Sequence, residues 1–221
     1  MNKGFKIRWD LSPSEAIAHQ KQLAKHLILE KSYSDVAIVA GVDVGFEQDG
    51  AITRAAVSLL SYPDLKPLEN SLYRCKTTFP YIPGLLSFRE IPAIEQALSQ
   101  LKNQPDILLC DGQGYAHPRR LGIACHLGLL TGIPSIGVGK SRLIGKHDDP
   151  PNLKGAWVPL IDRDETIGAV LRTRVNVKPL YISPGHLIDL ENSIEMVMAC
   201  VTRFKLPETT RAAHNLASNY R

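Results

Sequence analysis

The chain has 221 residues, 44% of them hydrophobic, with 26 basic against 22 acidic side chains and a formal net charge of +4. That length suits one domain, expected to span 1–221, large enough to bury a core without staples. No apolar run approaches the roughly 20 residues of a membrane span, residues 1–9 lack the apolar stretch of a secretory signal, and the mild basic balance is compatible with a nucleic-acid partner without requiring one.

Ser12, Pro13 and Glu15 supply an N-cap, a proline at N1 and a glutamate at N3, so a helix is expected from there to about residue 30. Ile17, Leu23, Leu27 and Ile28 are its packing positions. His19 and His26 lie on it with no carboxylate motif beside them and are read as solvated or capping. Residues 36–46, VAIVAGVDVGF, form an apolar run broken by one carboxylate, Asp43. The run predicts a central strand with one costly charge in it. Residues 51–61 and 72–79 read as second and third strands joined in hairpin fashion. In the following PYIPGLLSFRE, two prolines stiffen a loop that presents Tyr81 and Ile82. Glu90 can complete a capping box with Ser87, but Pro92 then falls at N5. A helix from near Ile91, with Pro92 at N1, leaves Glu90 free to act as a ligand.

Residues 107–111 form a short buried strand that ends on Asp111, where open α/β sheets bind ligands. Gly112 and Gly114 follow, then His117 as N-cap and Pro118 as N1 of a helix to about residue 130. Arg119 and Arg120 in its first turn oppose the helix dipole unless an anion faces them. Two readings stand side by side here: phosphate chemistry with a metal, or a strand-to-helix turn with a solvated arginine pair. After a strand at 133–138, the run 137–141 invites a Walker reading, which fails because position 134 holds Pro134 and not glycine. Lys140 remains as a cation at a strand end. Strand-like pieces at 156–160, 166–171 and 180–182 precede a loop at 183–186. A helix over 189–201 carries the stripe Ile194, Val197, Met198 and Val201, and a last segment, 207–218, sets Arg211 and His214 three apart on one face. Cys75, Cys110, Cys125 and Cys200 show no C-x-x-C spacing and fall in apolar or strand-like segments, so buried reduced thiols and a cytoplasmic location are expected. The order βββαβαβ predicts an α/β fold, a mixed sheet with helices on both faces.

Taken together, VDVGF at 42–46, PYIPGLLSFRE at 80–90, DGQGYAHPRRLGIA at 111–124, IGVGKSRLIG at 136–145, SPGH at 183–186 and PETTRAAH at 207–214 resemble the endonuclease V family. The resemblance implies a ribonuclease H-like sheet, three antiparallel strands followed by βαβ-type units. It further implies a magnesium-dependent hydrolase, with manganese as substitute, that finds deaminated purines, chiefly inosine, in DNA and cuts the second phosphodiester bond on the 3′ side. It makes Asp43 and Asp111 metal ligands on neighbouring strands, Glu90 the third carboxylate, and His214 a residue near the metal. Two carboxylates about 4 Å apart repel by roughly 4 kcal/mol at an effective dielectric of 20, so such a pair needs a cation, and oxygen ligands favour magnesium or manganese over zinc.

By the same resemblance Lys140 and His117 are electrostatic partners of the scissile phosphate, and Tyr81, with Ile82 and Pro83, is similar to the family's wedge into the duplex. Backbone near Gly84, Leu85 and Gly112 is the expected pocket wall, and Arg119 and Arg120 are expected on the phosphate backbone. Leu187 stands where many relatives carry a basic residue. Two alternatives keep the fold and metal but act mainly on inosine-containing RNA or on branched DNA. A non-catalytic binding module would lack one of Asp43, Glu90 and Asp111, and all three are present.

Overall fold

A computed structural model describes residues 8–218; residues 1–7 and 219–221, the ends of the expected 1–221 domain, lie outside the described residues. Its strands are β1 (Ile38–Glu47), β2 (Ile52–Ser61), β3 (Pro67–Lys76), β4 (Ile107–Asp111), β5 (Ser135–Gly139), β6 (Trp157–Asp162), β7 (Glu165–Leu171) and β8 (Leu180–His186). They form one sheet in the order β3-β2-β1-β4-β5-β8-β7-β6. The first three are antiparallel, β1-β4 and β4-β5 are parallel, and β5-β8-β7-β6 are antiparallel again. This is the mixed ribonuclease H-like sheet the sequence predicts. Among the described residues five α-helices accompany it: α1 (Pro13–Leu23), α2 (Leu86–Ser99), α3 (Ile123–Thr131), α4 (Leu190–Ala199) and α5 (Glu208–Ser218).

The pleat explains the two cores. Alternate residues of a strand face opposite sides, so Val39, Ile107, Leu109, Ile136 and Val138 pack with Val197 of α4 on one face. Ala40, Val42, Leu108 and Cys110 pack with Ile91 and Ile94 of α2 and Leu127 of α3 on the other. All four cysteines are free, three of them buried and Cys75 partly so. No helix among the described residues is long and apolar enough to cross a membrane.

Several boundaries differ from expectation. Helix α1 has its capping box but stops at Leu23, followed by a 3-10 turn, Ala24–His26. Beyond it the Ile28 N–H bonds His186 Nδ1 and the Ile28 carbonyl accepts from the Leu187 N–H, so tertiary ties hold the chain extended and leave Ile28 45% exposed. Strand β3 begins at Pro67, five residues early, because β2 templates it from Leu60↔Pro67, across a register shift at Leu59/Leu60, to Ile52↔Lys76. Its exposed Leu68 and Asn70, with half-buried Glu69 between them, hide the period-2 signal of a strand with one face in water. Residues 183–186, expected as a loop, complete β8, whose Ser183 and His186 are paired with Gly137 and Ser135.

Candidate active site at the split of the sheet

The site exists because two strands part. Parallel pairing of β1 with β4 ends at Val42↔Cys110, and the next residue on each is a carboxylate, Asp43 and Asp111. β1 continues to Glu47 with β2 as its partner, so a cleft opens between the strands where their apolar stretches end. The pleat puts Asp43, Asp111 and, one residue past β5, Lys140 on the same face. Helix α5 crosses that face closely enough that a Cβ on Gly41 would lie 1.9 Å from the Thr209 carbonyl oxygen. Only glycine fits there, and the close approach brings His214 of α5 over Asp43.

His214 Nδ1 donates to Asp43 Oδ2 at 2.7 Å, and the second carboxylate oxygen, Oδ1, accepts from the Val44 N–H at 2.8 Å. Lys140 Nζ forms an ion pair with Asp111 Oδ2 and lies 3.5 Å from His214 Nδ1. One ligand atom each from Asp43, Asp111 and His214 falls within a 4.8 Å group. Burial first, and then the charge of Asp111, pushes the Asp43 carboxyl above its ordinary range, with the His214 hydrogen bond opposing. Two carboxylates are thus crowded together with one ammonium and one imidazole against them.

Glu90 reaches the cleft from α2 on the opposite face, which is why it stands outside the tight trio. It nonetheless lines a cavity of about 240 Å³ with Asp43, Asp111, Lys140 and His214. Burial, followed by the charges of Asp43 and Asp111, raises its carboxyl to about 8. The expected helix start near Ile91 is corrected: α2 begins at Leu86, and Pro92 sits inside it. The turn that bonds Leu85 N–H to the Ile82 carbonyl and Phe88 N–H to the Leu85 carbonyl winds the chain before Glu90 is reached. Pro92 then forgoes only its bond to the Phe88 carbonyl. Glu90 is not a cap, as expected, but it is held by helix and not by loop.

Glu90 and Asp111 also border a second cavity of about 310 Å³, walled by Pro83, Gly84, Leu86, Gly112 and Gln113 and reached by Tyr81. Tyr81 is 68% exposed at its mouth. The Leu85 side chain is buried in a cluster with Phe79 and Phe88, on which Ile82 also packs, while its neighbours Gly84 and Leu86 line the cavity. Gly112 has φ +149, and a Cβ there would meet Ile123 at 2.8 Å.

The Gly84 carbonyl oxygen, in a turn at φ +81, accepts from Gln20 Nε2 at 3.0 Å, His117 Nε2 at 3.0 Å and Arg119 Nη2 at 2.7 Å. Three donors on one carbonyl fix the loop that carries Tyr81. His117 Nδ1 accepts from the Arg119 N–H, so the ring proton is on Nε2, and burial, with Arg119 next, lowers the imidazole to about 4. His117, expected as an electrostatic partner of the scissile phosphate, is instead a neutral clamp on the Gly84 carbonyl. Gln20 does not stand out in the sequence. Its only signal is a polar residue at helical spacing between two buried ones, Ala16 and Leu23. Gln113 escapes notice too; its Nε2 donates to the Ser141 carbonyl, bracing the turn that holds Lys140.

Arg119 and Arg120 are not in a helix's first turn. Helix α3 starts at Ile123 with Gly122 as N-cap, and residues 117–120 form a turn closed by Arg120 N–H on the His117 carbonyl, with Arg120 at φ +57. The pair is neither a phosphate clamp at a helix start nor solvated. Arg119 serves Gly84 and Gln20, while Arg120 ion-pairs with Asp162 and Glu165 at 2.9 and 2.8 Å. Arg120→Ala is accordingly expected to lower stability by about 1–2 kcal/mol, the scale of charged hydrogen bonds discounted for partial exposure. The salt dependence of nucleic-acid binding should stay as it was, and a flattened slope would restore the phosphate role. Leu187, at φ +57, follows His186, which pairs with the first residue of β5. It lies at the opposite end of the sheet from Asp111, so a basic residue there would not reach the cleft.

A model of the family described as Endonuclease V matches residues 21–215. The chain is 58% identical over 212 residues, 96% of each chain, to endonuclease V of Nostoc sp. (strain PCC 7120). The crystal structure of endonuclease V from Streptomyces avermitilis superposes with a TM-score of 0.90 at 36% identity, covering 98% of this chain and 96% of that one. Endonuclease V of Ciona intestinalis, in complex with a 23mer DNA containing an inosine followed by a ribo-adenosine, gives 0.83 at 28% identity, covering 94% and 97%. With the family model, the sequence identity and the fold matching along nearly its whole length, the chain belongs to the endonuclease V family.

Proposed function

We propose that this protein is a DNA repair endonuclease that recognises deoxyinosine and hydrolyses the second phosphodiester bond on its 3′ side with magnesium, or manganese in its place. The carrying observation is the carboxylate pair at the sheet split, directly beside a cavity bordered by Glu90 and Asp111 and fronted by Tyr81. The inosine-containing DNA held by the Ciona relative supports the substrate.

The donor set fits a hard divalent cation. Asp43, Asp111 and Glu90 offer oxygens, and burial, followed by repulsion from the neighbouring carboxylates, raises the carboxyls of Asp43 and Glu90, a cost that a bound cation would relieve. Those three, with His214 alongside, would hold the ion, which when bound supplies Lewis-acid polarisation of the phosphate and a more acidic water. In the reaction a water oxygen bonds phosphorus and the bond to the 3′ oxygen breaks. Lys140 places an ammonium beside the carboxylates at the cleft, where it lowers the cost of bringing a phosphate to them. His214 holds the Asp43 carboxylate in one orientation. The clamped Gly84 turn keeps Tyr81 in place, so a base turned out of the stack meets a preformed cavity, and a mispaired base is turned out at least cost.

Cleavage of end-labelled duplexes with and without one deoxyinosine, in magnesium and after chelation, tests the proposal. A cut one nucleotide beyond the lesion's 3′ neighbour bond, dependent on both lesion and metal, is expected. Cutting of plain duplex at the same rate, or full activity in chelator, would overturn it. Tyr81→Ala should cost about 1–3 kcal/mol of the preference for inosine-containing over plain DNA, the worth of one stacked base; an undiminished affinity ratio would remove Tyr81 from recognition. The ribo-adenosine in the Ciona complex favours one second reading, inosine in RNA-containing strands, which matched DNA and RNA substrates separate by rate.

A further inference from the structure

The end of the sheet that carries the cleft continues past Lys140 onto two loops. Gly139 pairs with Tyr181 and Leu171 with Leu180, so the chain leaving β7 at residues 172–179 emerges at the same end as Lys140. The loop between α4 and α5 is tied to it: Thr173 Oγ1 donates to the Lys205 carbonyl at 2.7 Å, and the Arg174 guanidinium donates to the Arg203 carbonyl. Arg174, Lys178 and Arg203 are exposed and Lys205 is half-buried. Lys205 is held below the usual lysine range by burial first, then by the charges of Lys178 and Lys140, which agrees with the register in placing these ammonium groups together. Among the described residues none of Arg174, Lys178, Arg203 and Lys205 is in an ion pair. Glu208, where the same loop enters α5, bonds Thr202 and Arg211, but the four cations themselves have no carboxylate partner and repel one another, a repulsion that a bound anion would relieve.

One aromatic organises the guanidiniums. Phe204, 38% exposed, lies between Arg203, 5.0 Å from its ring centroid, and Arg211, at 4.5 Å. Such contacts hold two long side chains in set orientations and reduce the entropy lost when they meet a ligand. Arg211 also bonds Glu208, and it stands one helical turn before His214 of the cleft.

We propose that this rim, Arg174, Lys178, Arg203 and Lys205 around the Phe204 platform, binds backbone phosphates of the nucleic acid on one side of the cleavage point. A phosphodiester strand is the occupant because the rim runs on from Lys140 and has the opposite charge along its length. The proposal rests on the nuclease reading above.

Two deoxyinosine duplexes test it, one extended only to the 5′ side of the lesion and one only to the 3′ side, with affinity measured at several salt concentrations. Combining Arg174→Ala, Lys178→Ala and Lys205→Met, the last keeping the buried stem, should flatten the log–log salt slope by about two to three units, near 0.9 for each phosphate that the protein no longer neutralises. The flattening should appear with one of the two duplexes. Phe204→Ala removes no charge and is expected to weaken the same duplex several-fold with little change of slope. Melting curves confirm that both variants fold. An unchanged slope, an equal loss on both duplexes, or parent affinity in Phe204→Ala would each overturn the rim. Failure of the parent protein to bind either duplex would instead overturn the nuclease reading.

Discussion

Asp111→Asn is expected to reduce cleavage of deoxyinosine duplex by at least about 10²–10³-fold, the scale on which losing one preorganised electrostatic group is felt. The substitution removes a charge and almost no volume. It leaves β4 intact, because the buried part of that strand, Ile107 to Cys110, is untouched. It cuts the ion pair to Lys140, and it takes away one of the carboxylates that can hold a cation. Asp43→Asn should act alike, with His214 losing its charged acceptor. Without metal both variants should melt no lower than the parent, since burial and then the charge of Asp111 raise Asp43, and each variant removes that repulsion between the two carboxylates. Activity and melting therefore move apart, which loss of structure would not produce. Either variant cutting at near the parent rate in magnesium would dismiss the carboxylate pair as the catalytic centre.

How much of the molecule is legible in its sequence follows from where each signal lies. Strands β1 and β4 are legible because a short apolar run bounded by turn residues has few other conformations, and the two carboxylates stand out as charges at or near the end of such runs. Their adjacency needs only that both strands be parallel neighbours. Lys140 is legible for the same reason, as the first charge after β5. His214 is not legible from its own helix, where it looks like a surface residue beside Arg211. What puts it in the cleft is Gly41, a bare position on a different element that lets α5 approach. Glu90 is expected in the right place but on the wrong scaffold, because Pro92 weighs as a helix stop in the sequence while tertiary packing of α2 overrides the loss of one backbone bond. The arginine pair fails in the opposite way. Dipole reasoning about Arg119 and Arg120 is sound for a helix start, yet their partners, Gly84, Gln20, Asp162 and Glu165, are far off in sequence and hold the segment as a turn.

In the metal-free protein, Glu90→Gln is expected to be more stable than the parent at pH 9 and equal to it near pH 4. Glu90 carries a raised carboxyl, about 8 in the folded chain against an ordinary value near 4.3 in the unfolded one. A group raised in this way favours folding while protonated. Its contribution is whole below the unfolded value and is lost as pH rises through the folded one. The parent should therefore lose stability between about pH 4.5 and 9 by a few kcal/mol more than the variant, with about 5 kcal/mol as the ceiling set by the size of the shift. Glutamine keeps the shape and has no proton to lose, so the difference between the two curves isolates this one side chain from every other titrating group. Saturating manganese should reverse the order at high pH, because the ionised carboxylate that destabilises the empty cleft becomes a ligand, and binding should release a proton below pH 8. Parallel stability curves from pH 4 to 9 would mean that Glu90 is ionised in the folded chain at neutral pH. A variant that gained as much from manganese as the parent would take Glu90 out of the metal site and leave Asp43, Asp111 and His214 to hold the ion.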